Sequence, residues 1–176
     1  YWPVLTIWQY IQQTGDIEIL LRVAPFFQDG LGMRGTQRNA IQADRSCTGT
    51  VAEHMLLEQL TAFCEAGEHG LLRLRAADWN DALDMAPQRG ESGAFTSAYA
   101  GSMELLAKML ETLRQTGKCS SIDLPKRFEI LLGEEDNWAS IASRREKLNR
   151  FCAQCIQIPD DDRIQIPLDK IVRHLD

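Results

Sequence analysis

The chain has 176 residues, 44% of them hydrophobic, and a formal net charge of −6. That is enough apolar material for one ordinary domain with a core of its own. The acidic balance, with no dense Lys/Arg block, argues against nucleic acid as a partner, and no apolar run is long enough to cross a bilayer.

Five cysteines stand at 47, 64, 119, 152 and 155. The odd count and irregular spacing argue against a disulfide framework and fit reduced thiols in a cytoplasmic protein. Cys152-Ala153-Gln154-Cys155 is a lone CxxC on the apolar stripe of an expected helix, so it reads as packing rather than a metal site. The chain opens on Tyr1-Trp2-Pro3 inside a helical pattern and closes inside another apolar pattern. Residues 1–176 are therefore expected to be a fragment of a single helical catalytic domain, cut from a longer polypeptide.

The spacing predicts a helix over 2–14, stopped by Thr14-Gly15-Asp16, and a short second helix over about 17–27. Residues 28–47 read as a long connection. Thr50-Val51-Ala52-Glu53 is a capping box that starts a helix to about residue 66, with Ala52, Leu56, Leu60 and Phe63 on one face. Residues 71–92 carry little helical periodicity. Residues 95–116 form the clearest helix, with Tyr99, Met103, Leu106, Leu110 and Leu113 on one side. A shorter helix is expected over Leu124–Leu132, entered through Asp123 and Pro125, and a long one from about 137 to 156. Arg163–Pro167 suits a short strand, and the final segment is helical again. The fold class expected is all-α.

The segment richest in chemistry is Asp78-Trp79-Asn80-Asp81, on an expected loop. Breaking a glycosidic bond needs a carboxylic acid to protonate the leaving oxygen, and that acid must keep its proton near neutral pH. A neighbouring Trp supplies a low-dielectric wall and a flat face for sugar C–H groups. Asp78, Asn80 and Asp84 are placed to bind hydroxyls. The same string also fits a turn with Asx caps and a buried Trp.

Residues 50–93 resemble the catalytic region of glycoside hydrolase family ninety-four, the inverting disaccharide phosphorylases. Val51-Ala52-Glu53-His54 resembles that family's helix entry, and Gly67-Glu68-His69 with Gly70-Leu71 its turn ahead of the active-site loop. Asp78-Trp79-Asn80-Asp81 is similar to its most specific signature, and Arg89-Gly90-Glu91-Ser92 to the stretch that follows. The first 16 residues resemble a preceding helix, and beyond about residue 115 the likeness ends. The resemblance implies part of an (α/α)6 barrel and reversible, inverting phosphorolysis of a β-linked sugar, with a small carbohydrate and inorganic phosphate as substrates and no cofactor or metal. Carried over, Asp81 is the general acid, Trp79 lines the subsite of the cleaved sugar, and Asp78 and Asn80 shape the loop or bind hydroxyls. Ala82-Leu83 and Gly93-Ala94-Phe95 depart from the family's pattern, which puts substrate identity in doubt.

Arg73 and Arg75 are phosphate candidates by proximity, although the family's phosphate residues lie largely in later sequence. Two other readings stay open. One is an inverting hydrolase, which needs a second carboxylate, with Glu91 as a candidate. The other is a non-catalytic helical module that binds sugar or supports a partner domain. His54 and His69 read as packing or loop-orienting residues, and Asp160-Asp161-Asp162 as a solvated turn. Trp2, Trp8 and Trp138 read as core or interhelix residues. An isolated fragment is expected to be inactive, and pairing into a homo-oligomer is one way to cover its apolar faces.

Overall fold

The computed structural model describes residues 1–26, 48–74, 89–133, 138–157 and 162–176, the side chains of 155–157 aside. Helices dominate, as expected, and three short antiparallel ribbons join them.

Helix α1 spans Trp2–Thr14, with Pro3 in its first turn, where a missing N–H costs nothing. It closes at Gly15, whose N–H donates to Ile11 O at 2.8 Å. The helix expected over 17–27 is a 3-10 turn, Ile17–Leu21, followed by strand β1, Val23–Pro25. The chain leaves the helical path there because Val23 pairs with Thr50, Ala24 with Gly49 and Pro25 with Thr48 of β2, Thr48–Thr50.

Helix α2, Val51–Cys64, starts where the capping box puts it: the Thr50 hydroxyl accepts the Glu53 N–H at 3.1 Å. Strand β3, Leu72–Arg73, pairs with β4, Glu91–Ser92, which runs directly into α3, Gly93–Gln115. Ser92 caps α3 by accepting the Phe95 N–H at 3.1 Å.

The expected helix at Leu124–Leu132 needs correction. Ser121–Pro125 is strand β5, and only Phe128–Leu131 is helical, as α4. Ile122 and Leu124 are buried while Asp123 between them is exposed, a period of two that suits a strand. Its partner is the anticipated strand β6, Arg163–Pro167, in register Ile122↔Ile166 and Leu124↔Ile164. Helix α5, Ile141–Gln157, and helix α6, Leu168–Leu175, complete the chain.

The core is one continuous cluster around α3. Leu106, Met109, Leu110 and Leu113 are fully buried, among Val4 of α1, Leu56 and Leu60 of α2, and Leu168 and Ile171 of α6. Burying each such side chain contributes roughly 1.5–3 kcal/mol. Trp8 packs partly against this core, as expected of it. Trp2 does not; it is exposed and stacks on Tyr1 at 4.8 Å. Among the described residues, Cys64 and Cys119 are free thiols, no group of His, Cys, Asp and Glu is arranged to hold a metal, and no helix is long and apolar enough to cross a membrane. Burial pushes the Cys64 thiol up to about 11, as befits a packing residue.

Three charged side chains lie buried among the described residues, Glu53, Arg144 and Lys147. Glu53 is 1% exposed, and its Oε2 accepts from Arg163 Nη2 at 2.7 Å. Arg163 Nε also donates to Asp123 Oδ2 at 2.7 Å, so one guanidinium ties α2 to the β5/β6 ribbon. Arg163→Met is expected to lower stability by about 3 kcal/mol, because it takes away a cation bonded to a buried carboxylate. Arg173→Ala removes an exposed pair with Asp169 and is expected to cost under about 0.5 kcal/mol. Equal denaturation midpoints for the two variants would refute this difference.

Candidate active-site ribbon

The β3/β4 ribbon is the described structure nearest the Asp78–Asp81 segment in sequence. Asp78, Trp79, Asn80 and Asp81 themselves, with Arg75 and Asp84, lie outside the described residues. What the structure shows is how the two flanks of residues 75–88 are held. Leu74 N–H donates to Gly90 O at 2.9 Å, so the chain leaves and returns side by side.

Ahead of the ribbon, residues 67–71 form a tight turn. Gly67 N–H donates to Leu71 O at 2.7 Å, and Gly70 takes a left-handed φ of 82° that favours glycine. The turn is clamped by Glu91 of β4. One of its oxygens accepts the Leu71 N–H at 3.0 Å, the other accepts the His69 N–H at 3.1 Å, and His69 Nδ1 lies 3.0 Å from the latter. The carboxyl sits where a side chain on Gly67 would project, so a larger residue at 67 would displace the clamp. A second, exposed pair, Arg89 Nη2 to Glu68 Oε2 at 2.6 Å, joins the same two strands of chain.

Desolvation acts to raise the Glu91 pKa, but the donors from the His69 side chain and from the backbone of His69 and Leu71 outweigh it and hold the carboxyl below the usual carboxylate value. Such a carboxylate is a weak base with both oxygens committed. The reading of Glu91 as a water-activating base is therefore corrected: Glu91 shapes the turn. Thr96, on the first turn of α3, does similar service. Its hydroxyl donates to Ser92 O at 2.6 Å and accepts the Leu72 N–H at 2.8 Å, fixing β3 to the helix start.

Other expectations can be placed. Arg73 lies 3.5 Å from Glu65 Oε1, so its charge is met within the fold rather than offered to phosphate. His54 is a packing residue, as expected: its ring stacks on Phe26 at 3.8 Å and Nε2 lies 3.2 Å from Ala24 O. His69 orients the turn. Trp138 bridges helices, with its ring 5.7 Å from Phe63 of α2 and 4.9 Å from His174 of α6. It also lines a cavity of about 420 Å³ behind the ribbon, bounded by the end of α2, the start of α3 and the end of α6. Tyr99 lines it too, and burial followed by the charge of Glu58 pushes its hydroxyl up to about 12. Local sequence pattern gave no sign of this cavity.

The clamp gives a pH signature. The folded pKa of Glu91 lies below its ordinary 4.5, so its stabilisation is present above about pH 4.5 and is lost as pH falls through the lower, folded value. Glu91→Gln is expected to lower the melting temperature at neutral pH, with the gap to wild type closing in acid. A gap that stays constant down to the acid unfolding limb would show that the ionised carboxylate contributes nothing.

Comparison with known proteins follows the same stretch of chain. A family model described as the glycosyl hydrolase 94 superfamily, catalytic domain, matches residues 1–118. A 3-O-beta-D-glucopyranosyl-beta-D-glucuronide phosphorylase of Paenibacillus borealis is 27% identical over 128 residues, which is 72% of this chain and 15% of that protein. Solabiose phosphorylase of Paenibacillus borealis is 30% identical over 83 residues, 47% of this chain and 9% of that protein. The matched stretch is thus a small part of either relative's length. With residues 1–118 inside the family model, from α1 through the ribbon to the end of α3, the chain belongs to the glycosyl hydrolase 94 superfamily by its catalytic domain.

Proposed function

We propose that the chain is part of a phosphorylase that cleaves a β-linked disaccharide or oligosaccharide with phosphate, with inversion, releasing a sugar 1-phosphate, and that Asp81 is its general acid. The observation that carries this reading is the family match over 1–118, which contains the Asp78-Trp79-Asn80-Asp81 signature in full. Both relatives are phosphorylases by name, one of them for a β-linked glucopyranosyl glucuronide. On this reading the helices are part of an (α/α)6 barrel, and residues 75–88 are its active-site loop.

The chemistry needs few protein groups. A phosphate oxygen attacks the anomeric carbon from one face as the bond to the leaving oxygen breaks on the other. Asp81 transfers its proton to that oxygen, so the second sugar departs as a neutral alcohol. Trp79 stacks on the sugar being cleaved, and Asp78 and Asn80 hold hydroxyls or the loop. Hydrolysis would require a second carboxylate to activate water. The commitment of Glu91 to the 67–71 turn favours phosphorolysis over hydrolysis for that reason.

The full-length protein, given β-linked disaccharides and phosphate, is expected to form an α-sugar 1-phosphate. Asp81→Asn should lower that rate at least about 100-fold while leaving the melting temperature unchanged. Undiminished activity in Asp81→Asn would remove Asp81 from the role, and release of free sugar at the same rate without phosphate would assign a hydrolase instead.

A further inference from the structure

The cavity behind the ribbon contains a charge that the proposed reaction does not use. Arg144, on the first turn of α5, is 9% exposed, and its Nε has no hydrogen-bond partner. Its guanidinium carbon lies 4.9 Å from the centre of the Phe63 ring, and one terminal nitrogen approaches Gly70. Glu104 and Asp176 also line the cavity, yet among the described residues no carboxylate comes within ion-pair distance of this guanidinium. One turn further along α5, Lys147 is buried as well, with Nζ donating to Ile130 O at 3.3 Å and lying 3.8 Å from the centre of the Trp138 ring.

A buried guanidinium without a counter-charge is costly, and a stacked aromatic ring offsets only part of the lost hydration. Something anionic completes such a site. The rest of the cavity says what kind of anion. At about 420 Å³ it holds a small organic molecule, and its walls are largely apolar, with Phe63, Tyr99, Met103 and Trp138 among them. The Tyr99 hydroxyl is already engaged with Glu58 Oε1 at 3.3 Å, and the Thr96 hydroxyl with Ser92 and Leu72, so the two hydroxyls of the wall are committed within the fold. A single planar guanidinium matches a monoanionic carboxylate, whereas a phosphate dianion calls for more donors.

We propose that this cavity is a binding site for a small carboxylate with an apolar body, of the arylalkanoate class, with Arg144 forming the ion pair and Phe63, Tyr99 and Trp138 enclosing the ring. Phe63 and Tyr99 belong to the family-matched residues, while Trp138 and Arg144 lie beyond them, so both parts of the chain build the site, and it does not rest on the phosphorylase reading.

The test is calorimetric titration of the purified full-length protein with 3-phenylpropionate, its amide 3-phenylpropionamide, glucuronate and inorganic phosphate. The acid is expected to bind at least about tenfold more tightly than the uncharged amide, which has the same shape. Arg144→Met should abolish that preference while leaving the melting temperature equal or higher, because it replaces a buried charge by an apolar chain of similar length. Met103→Trp, which fills the cavity from α3 and leaves Arg144 in place, should weaken the acid by a similar factor. Equal affinity for acid and amide, or a preference that survives Arg144→Met, would overturn the proposal. So would binding of glucuronate or phosphate ahead of the aryl acid. Absence of binding by any probe, with Arg144→Met destabilised, would show that a group of the chain itself completes the charge, and would also overturn it.

Discussion

The apolar face of α3 is the constraint on which the rest of the structure depends. Leu106, Met109, Leu110 and Leu113 have no exposure, and the elements that cover them come from both ends of the chain. Because β4 runs into α3 without a break, the position of that helix also fixes the ribbon. Ser92 caps the helix, Thr96 ties β3 to its first turn, and Leu74 closes onto Gly90. The flanks of the signature segment are thus held by a helix whose far end is buried in the core. Catalytic groups need placement to within about half an ångström, and loops gain it from rigid supports of this kind.

Polar pins inside the core make the packing specific. Ser102 of α3 donates to Gln59 Oε1 of α2 at 2.7 Å, with both residues buried. Glu53, Arg163 and Asp123 join α2 to the β5/β6 ribbon. Apolar faces alone allow helices to slide by small amounts. A buried hydroxyl that must meet an amide, and a buried carboxylate that must meet a guanidinium, penalise such slips.

Much of this was legible because it is local. The Thr50 cap, the helix period over 95–116 and the turn at Thr14–Asp16 are all set by residues within one or two turns of each other. Strand β5 was misread because its partner lies some 40 residues away, and a five-residue segment ending in proline looks much like a helix entry. The two-residue strands β3 and β4 are too short to show any period at all. Glu91 carried the right chemistry for a base, but the backbone donors that consume it come from a turn 20 residues earlier, which no local pattern reveals. Arg144 did leave a trace. It occupies the same helical stripe as Ile141, Leu148 and Phe151, where an apolar residue is expected, and a charge on such a stripe is worth treating as a site before it is treated as an exception.

The boundary of family resemblance near residue 118 is not a boundary of packing. Leu168 and Ile171 lie against α3, Arg145 Nε donates to Ala66 O at 2.8 Å, and the same hydrophobic cluster continues through Phe128 and Phe151. Residues 119–176 therefore do more than follow the matched part; they complete its core. The cavity is a consequence of that joining, since Trp138, Arg144 and His174 close a space that Phe63 and Tyr99 open. Helix α5, if it served only to cover α2 and α4, would be expected to present Leu or Ile at every inward position. At 144 and 147 it presents buried cations instead, against aromatic rings from the two parts of the chain. Covering a helix does not require a charge at 144, and desolvating it opposes folding, so its place in the structure points to binding rather than to packing alone.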